Sequence, residues 1–103
     1  MMEKGLIEHA VRNYCMGTNI GFWESSDIGD KYYDGLEIIL IDALEKGVDF
    51  ESDVKALMDY LNKTLNANIM ISDPHFYEET DVDDLDGESF TNYYCSIKFG
   101  VNK

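Results

Sequence analysis

Apolar positions recur every three to four residues over 3–16. Leu6, Ile7, Ala10, Val11 and Tyr14 fall on one side of a helical wheel, and Glu3, Lys4, Glu8 and Arg12 on the other. This spacing predicts an amphipathic helix over 3–16 that Gly17 ends. Residues 18–24, Thr-Asn-Ile-Gly-Phe-Trp-Glu, are aromatic and β-branched and predict a strand. Ser25, Ser26, Asp27, Gly29 and Asp30 then predict a turn-rich loop. Residues 31–46 are the most apolar stretch. Tyr32, Tyr33, Leu36, Ile38, Ile39, Leu40, Ile41, Ala43 and Leu44 cover most of a helical circumference, and Asp34, Glu37, Asp42 and Glu45 leave a narrow polar stripe. The length predicts a central helix over 31–46, ended by Gly47, with a buried strand as the rival reading because of the isoleucine run. Asp49 stands where an N-cap belongs. Val54, Leu57, Met58, Leu61 and Leu65 give the stripe of a helix over 50–66, with Glu51 in its first turn. The short connection predicts that these two helices pack as an antiparallel hairpin.

The period then changes from 3.6 to 2. Ile69 and Ile71 alternate in a short strand over 68–72, stopped by Asp73-Pro74. A second extended segment over 75–82 starts at His75-Phe76-Tyr77 and runs into acids, and Asp86-Gly87 is a turn dipeptide. Over 90–101 the alternation is clean: Thr91, Tyr93, Cys95, Ile97, Phe99 and Val101 share one face, and Asn92, Tyr94, Ser96 and Lys98 the other. The order predicts an α+β fold, a single domain over 1–103 with about three helices (3–16, 31–46, 50–66) packed on a small antiparallel sheet (18–24, 68–72, 75–82, 90–101). Hydrophobic residues make up 45% of the 103 positions, enough for a folded core despite the charge.

Charge changes the picture more than composition does. Eight Lys and Arg stand against 21 Asp and Glu, a net charge of −13. That balance argues against direct contact with nucleic acid or an anionic membrane, both of which need a cationic face. No apolar run approaches the ~20 residues of a spanning helix, and the opening Met-Met-Glu-Lys-Gly lacks a signal-peptide pattern, so a cytoplasmic location is expected. Residues 73–88 hold Asp73, Glu78, Glu79, Asp81, Asp83, Asp84, Asp86 and Glu88, and no Lys or Arg occurs between Lys63 and Lys98. This segment is expected to form a hairpin or loop within the domain. It reads either as a solvated loop or as a docking surface for a basic partner. Alternate carboxylates on a strand, as at Glu79, Asp81 and Asp83, project about 6.8 Å apart, comparable to neighbouring phosphates on a nucleic-acid strand. Tyr77 and its neighbours Phe76, Tyr93 and Tyr94 are candidate anchors, with Tyr93 the one expected to pack the sheet.

Catalytic signals are weak. Cys15 and Cys95 form no C-x-x-C pair and are expected to be free, buried thiols. His75 with Cys95 is the one candidate nucleophile pair, and nothing in the spacing requires it. Asp73, His75, Glu78 and Glu79 lack the second histidine of most transition-metal sites. A calcium loop begun at Asp81 places Gly87 one position late and Asn92 where a glutamate is needed. No phosphate-binding, dinucleotide-binding or nucleophile-elbow motif occurs. The chain is therefore expected to be a binding protein and not an enzyme, with no cofactor and no metal.

In size and charge it resembles the small phage proteins that block host defence, the anti-restriction and anti-CRISPR DNA mimics. The resemblance implies an inhibitor in the host cytoplasm that occupies the cationic groove of a nuclease or DNA-binding complex. The expected partner is a basic nucleic-acid-binding protein, met through Tyr77, Glu78, Glu79, Asp81, Asp83, Asp84, Asp86 and Glu88. Lys31-Tyr32-Tyr33-Asp34-Gly35-Leu36 resembles the Tyr-Tyr-Gly helix start of the barstar family over six residues, with the glycine displaced by one. This second resemblance implies the alternative of an immunity protein against a nuclease toxin. A non-inhibitory interaction subunit is the third reading, favoured by apolar exposure at Trp23 or Tyr94.

Overall fold

In a computed structural model, residues 4–29, 34–42, 49–65 and 68–101 are described, without the side chains of Asp34 and Val101. They form two helices and five strands in the order α1 (Lys4–Cys15), β1 (Ile20–Gly29), β2 (Asp34–Asp42), α2 (Phe50–Thr64), β3 (Ile69–Ile71), β4 (His75–Val82) and β5 (Ser89–Val101). The α+β class with a small antiparallel sheet is as the sequence predicts. The last two strands, β4 and β5, fall within a residue of their expected bounds.

The largest correction is at 31–46. Residues 34–42 are strand β2, and 31–33 and 43–46 lie outside the described residues. The expected helical hairpin with 50–66 and the barstar-like helix start are therefore not formed at Asp34-Gly35-Leu36. β2 is central, paired antiparallel with β1 on one side and β5 on the other. Leu36, Ile38 and Leu40 are buried against the helices, while Glu37, Ile39 and Ile41 are half-buried on the opposite face. A strand covered on both faces reads as a continuous apolar run, and its branched isoleucines favour the pleated backbone.

The expected loop at 25–30 is also corrected, because β1 continues through Gly29. A bulge between Phe22 and Glu24 leaves Trp23 as the extra residue and exchanges the faces of the rest of the strand. Ser25 and Asp27 thereby point to α1. Ser25 Oγ donates to Glu8 at 2.8 Å, and Lys4 Nζ pairs with Asp27 at 2.7 Å. The Arg12 guanidinium lies 4.2 Å from the centre of the Phe22 ring. α1 is thus tied to β1 along its length.

The helix ends also work differently from expectation. Thr18 closes α1, accepting from Ile20 N–H and donating to the Cys15 carbonyl at 3.1 Å. Asp49 occupies the N-cap position of α2 in a left-handed conformation (φ 65°), and its side chain makes no capping bond. Its carbonyl accepts from Asp53 N–H at 2.8 Å, the first bond of the helix.

Both helices cover one face of the sheet. Ile7, Val11 and Cys15 from α1 meet Phe50, Val54, Leu57 and Leu61 from α2 over Leu36, Ile38, Leu40, Cys95, Ile97 and Phe99. The other face carries no helix among the described residues. Gly21 lies on that face beneath Ile41, where a Cβ would approach Ile41 Cγ2 to 2.8 Å. Among the described residues no helix is long and apolar enough to cross a membrane.

Candidate functional site

β5 is long enough to have different neighbours along its length. β2 pairs with it from Gly100 down to Tyr94, where Ile41 stands opposite. On its other edge β3 pairs with 99–101 and β4 with 89–96. Ser72 marks the change of neighbour: its N–H donates to the Lys98 carbonyl at 2.9 Å, and its hydroxyl accepts from Lys98 N–H at 2.8 Å. Five β4–β5 pairs, from Glu78↔Tyr93 to Val82↔Ser89, lie beyond the last β2–β5 pair. At about 3.4 Å per residue this two-stranded ribbon reaches some 17 Å past the Ile41–Tyr94 pair. The overall extents of 50 × 27 × 20 Å agree with such a projection.

The acidic residues sit on this ribbon and its turn. Glu79 and Asp81 follow Tyr77 on the face away from the helices, while Glu78 shares the other face with Phe76. The residues directly opposite are neutral: Tyr93 across from Glu78, Asn92 across from Glu79, and Phe90 across from Asp81. Asp83 does not extend the Glu79–Asp81 row. It lies past the strand end, and its carboxylate accepts from Leu85 N–H at 2.9 Å. Asp86 accepts from Glu88 N–H in the same way, also at 2.9 Å. These two acids shape the turn. Gly87 N–H donates to the Asp83 carbonyl, Asp83 N–H to the Glu88 carbonyl, and Gly87 adopts φ +73°. The result is a built turn that holds Leu85 at its tip, 97% exposed. Val82 and Phe90 are exposed below it. Asp84 and Glu88 complete the acidic tip.

The ribbon root carries an aromatic row on the helix-free face. His75 stacks on Tyr77 at 5.9 Å, Tyr77 on Tyr94 at 5.3 Å, and Trp23 meets Tyr94 edge-on at 6.0 Å. Trp23 is more than half exposed and Tyr94 is buried beneath it. Burial pushes the Tyr77 hydroxyl pKa up, and Glu79, Glu37, Tyr94 and Glu24 push it the same way. Sequence reasoning misses Glu24 and Glu37 as site residues, because the bulge at Trp23 that turns Glu24 to this face is not legible and 31–46 reads as a helix. Glu37 accepts from Ser96 Oγ at 2.6 Å. Tyr93 and Phe76 pack toward the core, Phe76 edge-on to Phe50 at 5.9 Å.

The structure places both cysteines in the interior, and both are free. Burial raises Cys15 to about 11. It raises Cys95 to about 12 despite a backbone hydrogen bond at His75 that lowers it. At neutral pH both remain thiols. Among the described residues no three His, Cys, Asp or Glu side chains come together as a metal site. Comparison with protein-family models, curated proteins and solved structures returned no match.

Proposed function

We propose that the protein is an acidic inhibitor that acts by binding, occupying the cationic nucleic-acid-binding surface of a nuclease or other DNA-binding protein. One observation carries this reading: the densest acidic segment forms a projecting ribbon with a built turn, and not a solvated coil. A narrow arm with carboxylates on both faces fits a groove lined by Lys and Arg. Complementary charge speeds the encounter and selects against other partners. Leu85 and Phe90 supply apolar contact within the same arm, which charge alone does not provide.

The test is capture of partners from a lysate of the expressing cell, washed at low and then high salt. The comparison is a variant carrying Glu79→Gln, Asp81→Asn, Asp84→Asn and Glu88→Gln. The carboxylates of Asp83 and Asp86, which hold the turn, are left in place, so the arm is retained. A basic nucleic-acid-binding protein held at low salt, eluted at high salt and lost by the variant is the expected result. The captured protein's activity on nucleic acid should fall when the wild-type chain is added. Equal capture by wild type and variant would overturn the reading.

A further inference from the structure

Where the ribbon leaves the sheet, the first turn of α2 faces it across a cavity of about 300 Å³. Phe50 and Glu51 come from α2, Phe76 and Glu78 from β4, and Tyr93 from β5. Phe50 and Phe76 stand edge to face at 84°. Glu78 and Tyr93 are directly opposite one another across the β4–β5 pair, so a carboxylate and a phenol ring share one wall. Among the described residues no Lys or Arg lines the cavity.

The lining decides the sign and shape of the ligand that fits. A helix N-terminus favours an anion through about half an elementary charge. Here Glu51 and Glu78 place two full negative charges at the same opening, with Asp53 also in the first turn. The balance favours a cation. The aromatic walls favour a flat or weakly hydrated one, and guanidinium both stacks on rings and takes carboxylates in a fork. The volume is at the lower end of about 300–1,000 Å³ for ligand pockets, the size for one long side chain and not for a cofactor.

We propose that this cavity receives the guanidinium of an arginine side chain presented by the partner. The inference rests on the function proposed above for the partner's basic character. The guanidinium lies against the Phe76 and Tyr93 rings, with its N–H groups donated to Glu78 and Glu51. The ribbon then engages the neighbouring cationic surface while one arginine fixes its root.

The probe is N-acetyl-arginine N-methylamide, titrated into the full chain and followed by amide NMR. Its neutral isostere, the citrulline derivative, is the control. The arginine probe should give saturable shifts at Phe50, Glu51, Phe76, Glu78 and Tyr93, with a dissociation constant in the millimolar range. The citrulline derivative should bind at least about tenfold more weakly, as expected for loss of a charge-assisted pair. A Glu51→Gln/Glu78→Gln variant should lose most of the discrimination, its unchanged far-UV spectrum and melting showing that the fold persists. Equal binding of the two probes would overturn the proposal. So would shifts centred elsewhere, an unaltered response in the double variant, or no saturable shift up to the probe's solubility limit.

The variant with Glu79, Asp81, Asp84 and Glu88 neutralised should still bind the arginine probe. Loss of partner capture by that variant, with no arginine response in the wild type, removes the cavity proposal alone. An arginine response without a basic partner removes the functional reading alone.

Discussion

Carboxylates on an arm that serve a partner and not the fold should cost stability, and removing them should return it. The variant with Glu79→Gln, Asp81→Asn, Asp84→Asn and Glu88→Gln leaves intact the side chains of Asp83 and Asp86, which hold the turn. Glu79 and Asp81 project from one face at about 6.8 Å. Two unit charges at that distance repel by about 0.6 kcal/mol in water. A screening length of about 10 Å at 0.1 M salt roughly halves this. Four neutralised acids remove several such pairs, on the order of 1 kcal/mol in total. Part of it persists in the unfolded chain, where neighbours in sequence remain close, so about 0.5 kcal/mol is the net expectation. For a chain of this size that is a rise in Tm of roughly 2–4 °C.

Circular dichroism melts of both proteins at low salt and at 1 M NaCl provide the assay. The variant should melt higher at low salt. The gap should close at 1 M NaCl, where the screening length is about 3 Å. A variant that melts below wild type, or a gap indifferent to salt, would show that these carboxylates make structural interactions and would refute the reasoning.

The packing supports three further expectations. Gly21→Ala brings a Cβ to 2.8 Å from Ile41 Cγ2 on a stiff, branched side chain, so urea unfolding should show a loss of about 1–3 kcal/mol, recovered in large part by adding Ile41→Ala. Leu85→Ser removes a side chain that is 97% exposed; its melting should match wild type within about 0.5 kcal/mol, while partner capture weakens, and unchanged capture would exclude the tip from the interface. Cys95 and Cys15 have folded pKa values raised from 9.0 to about 12 and about 11 by burial, so the protonated thiols favour the folded state. That contribution is complete below pH 9, lost as pH rises through the folded values, and absent from a Cys15→Ala/Cys95→Ala variant in stability measured against pH. Maleimide should modify neither thiol in the native protein and both in urea.

How far the sequence disclosed this arrangement depended on whether the determining contacts were local. The two amphipathic helices and the alternating strand β5 have periods that identify them, while β4, exposed over most of its length, reads only as an extended run begun by His75-Phe76-Tyr77. β2 does not. Leu36, Ile38 and Leu40 meet the helices while Ile39 and Ile41 lie half-buried on the other face, and a strand apolar on both sides also fills a helical wheel. β1 beyond Glu24 is hidden for the opposite reason. Ser25 and Asp27 look like loop residues until Glu8 and Lys4, far away in sequence, take their polar groups. Asp86-Gly87 announced the hairpin, but only the turn geometry separates Asp83 and Asp86, which hold it, from Glu79, Asp81, Asp84 and Glu88, which face outward.

The strand at β2 has the largest bearing on the candidate site. As a helix, 31–46 would have carried Glu37 away from the sheet. As a strand it places Glu37, with Glu24 beyond the β1 bulge, close enough to Tyr77 to add, with Glu79, to the rise in hydroxyl pKa that burial causes. The acidic groups around the aromatic row are therefore Glu79 from the arm, Glu37 from β2 and Glu24 from β1, with Lys98 directly opposite Glu37. Under the function proposed above, a basic partner would meet carboxylates and rings on this face too, apart from the cavity between α2 and the ribbon.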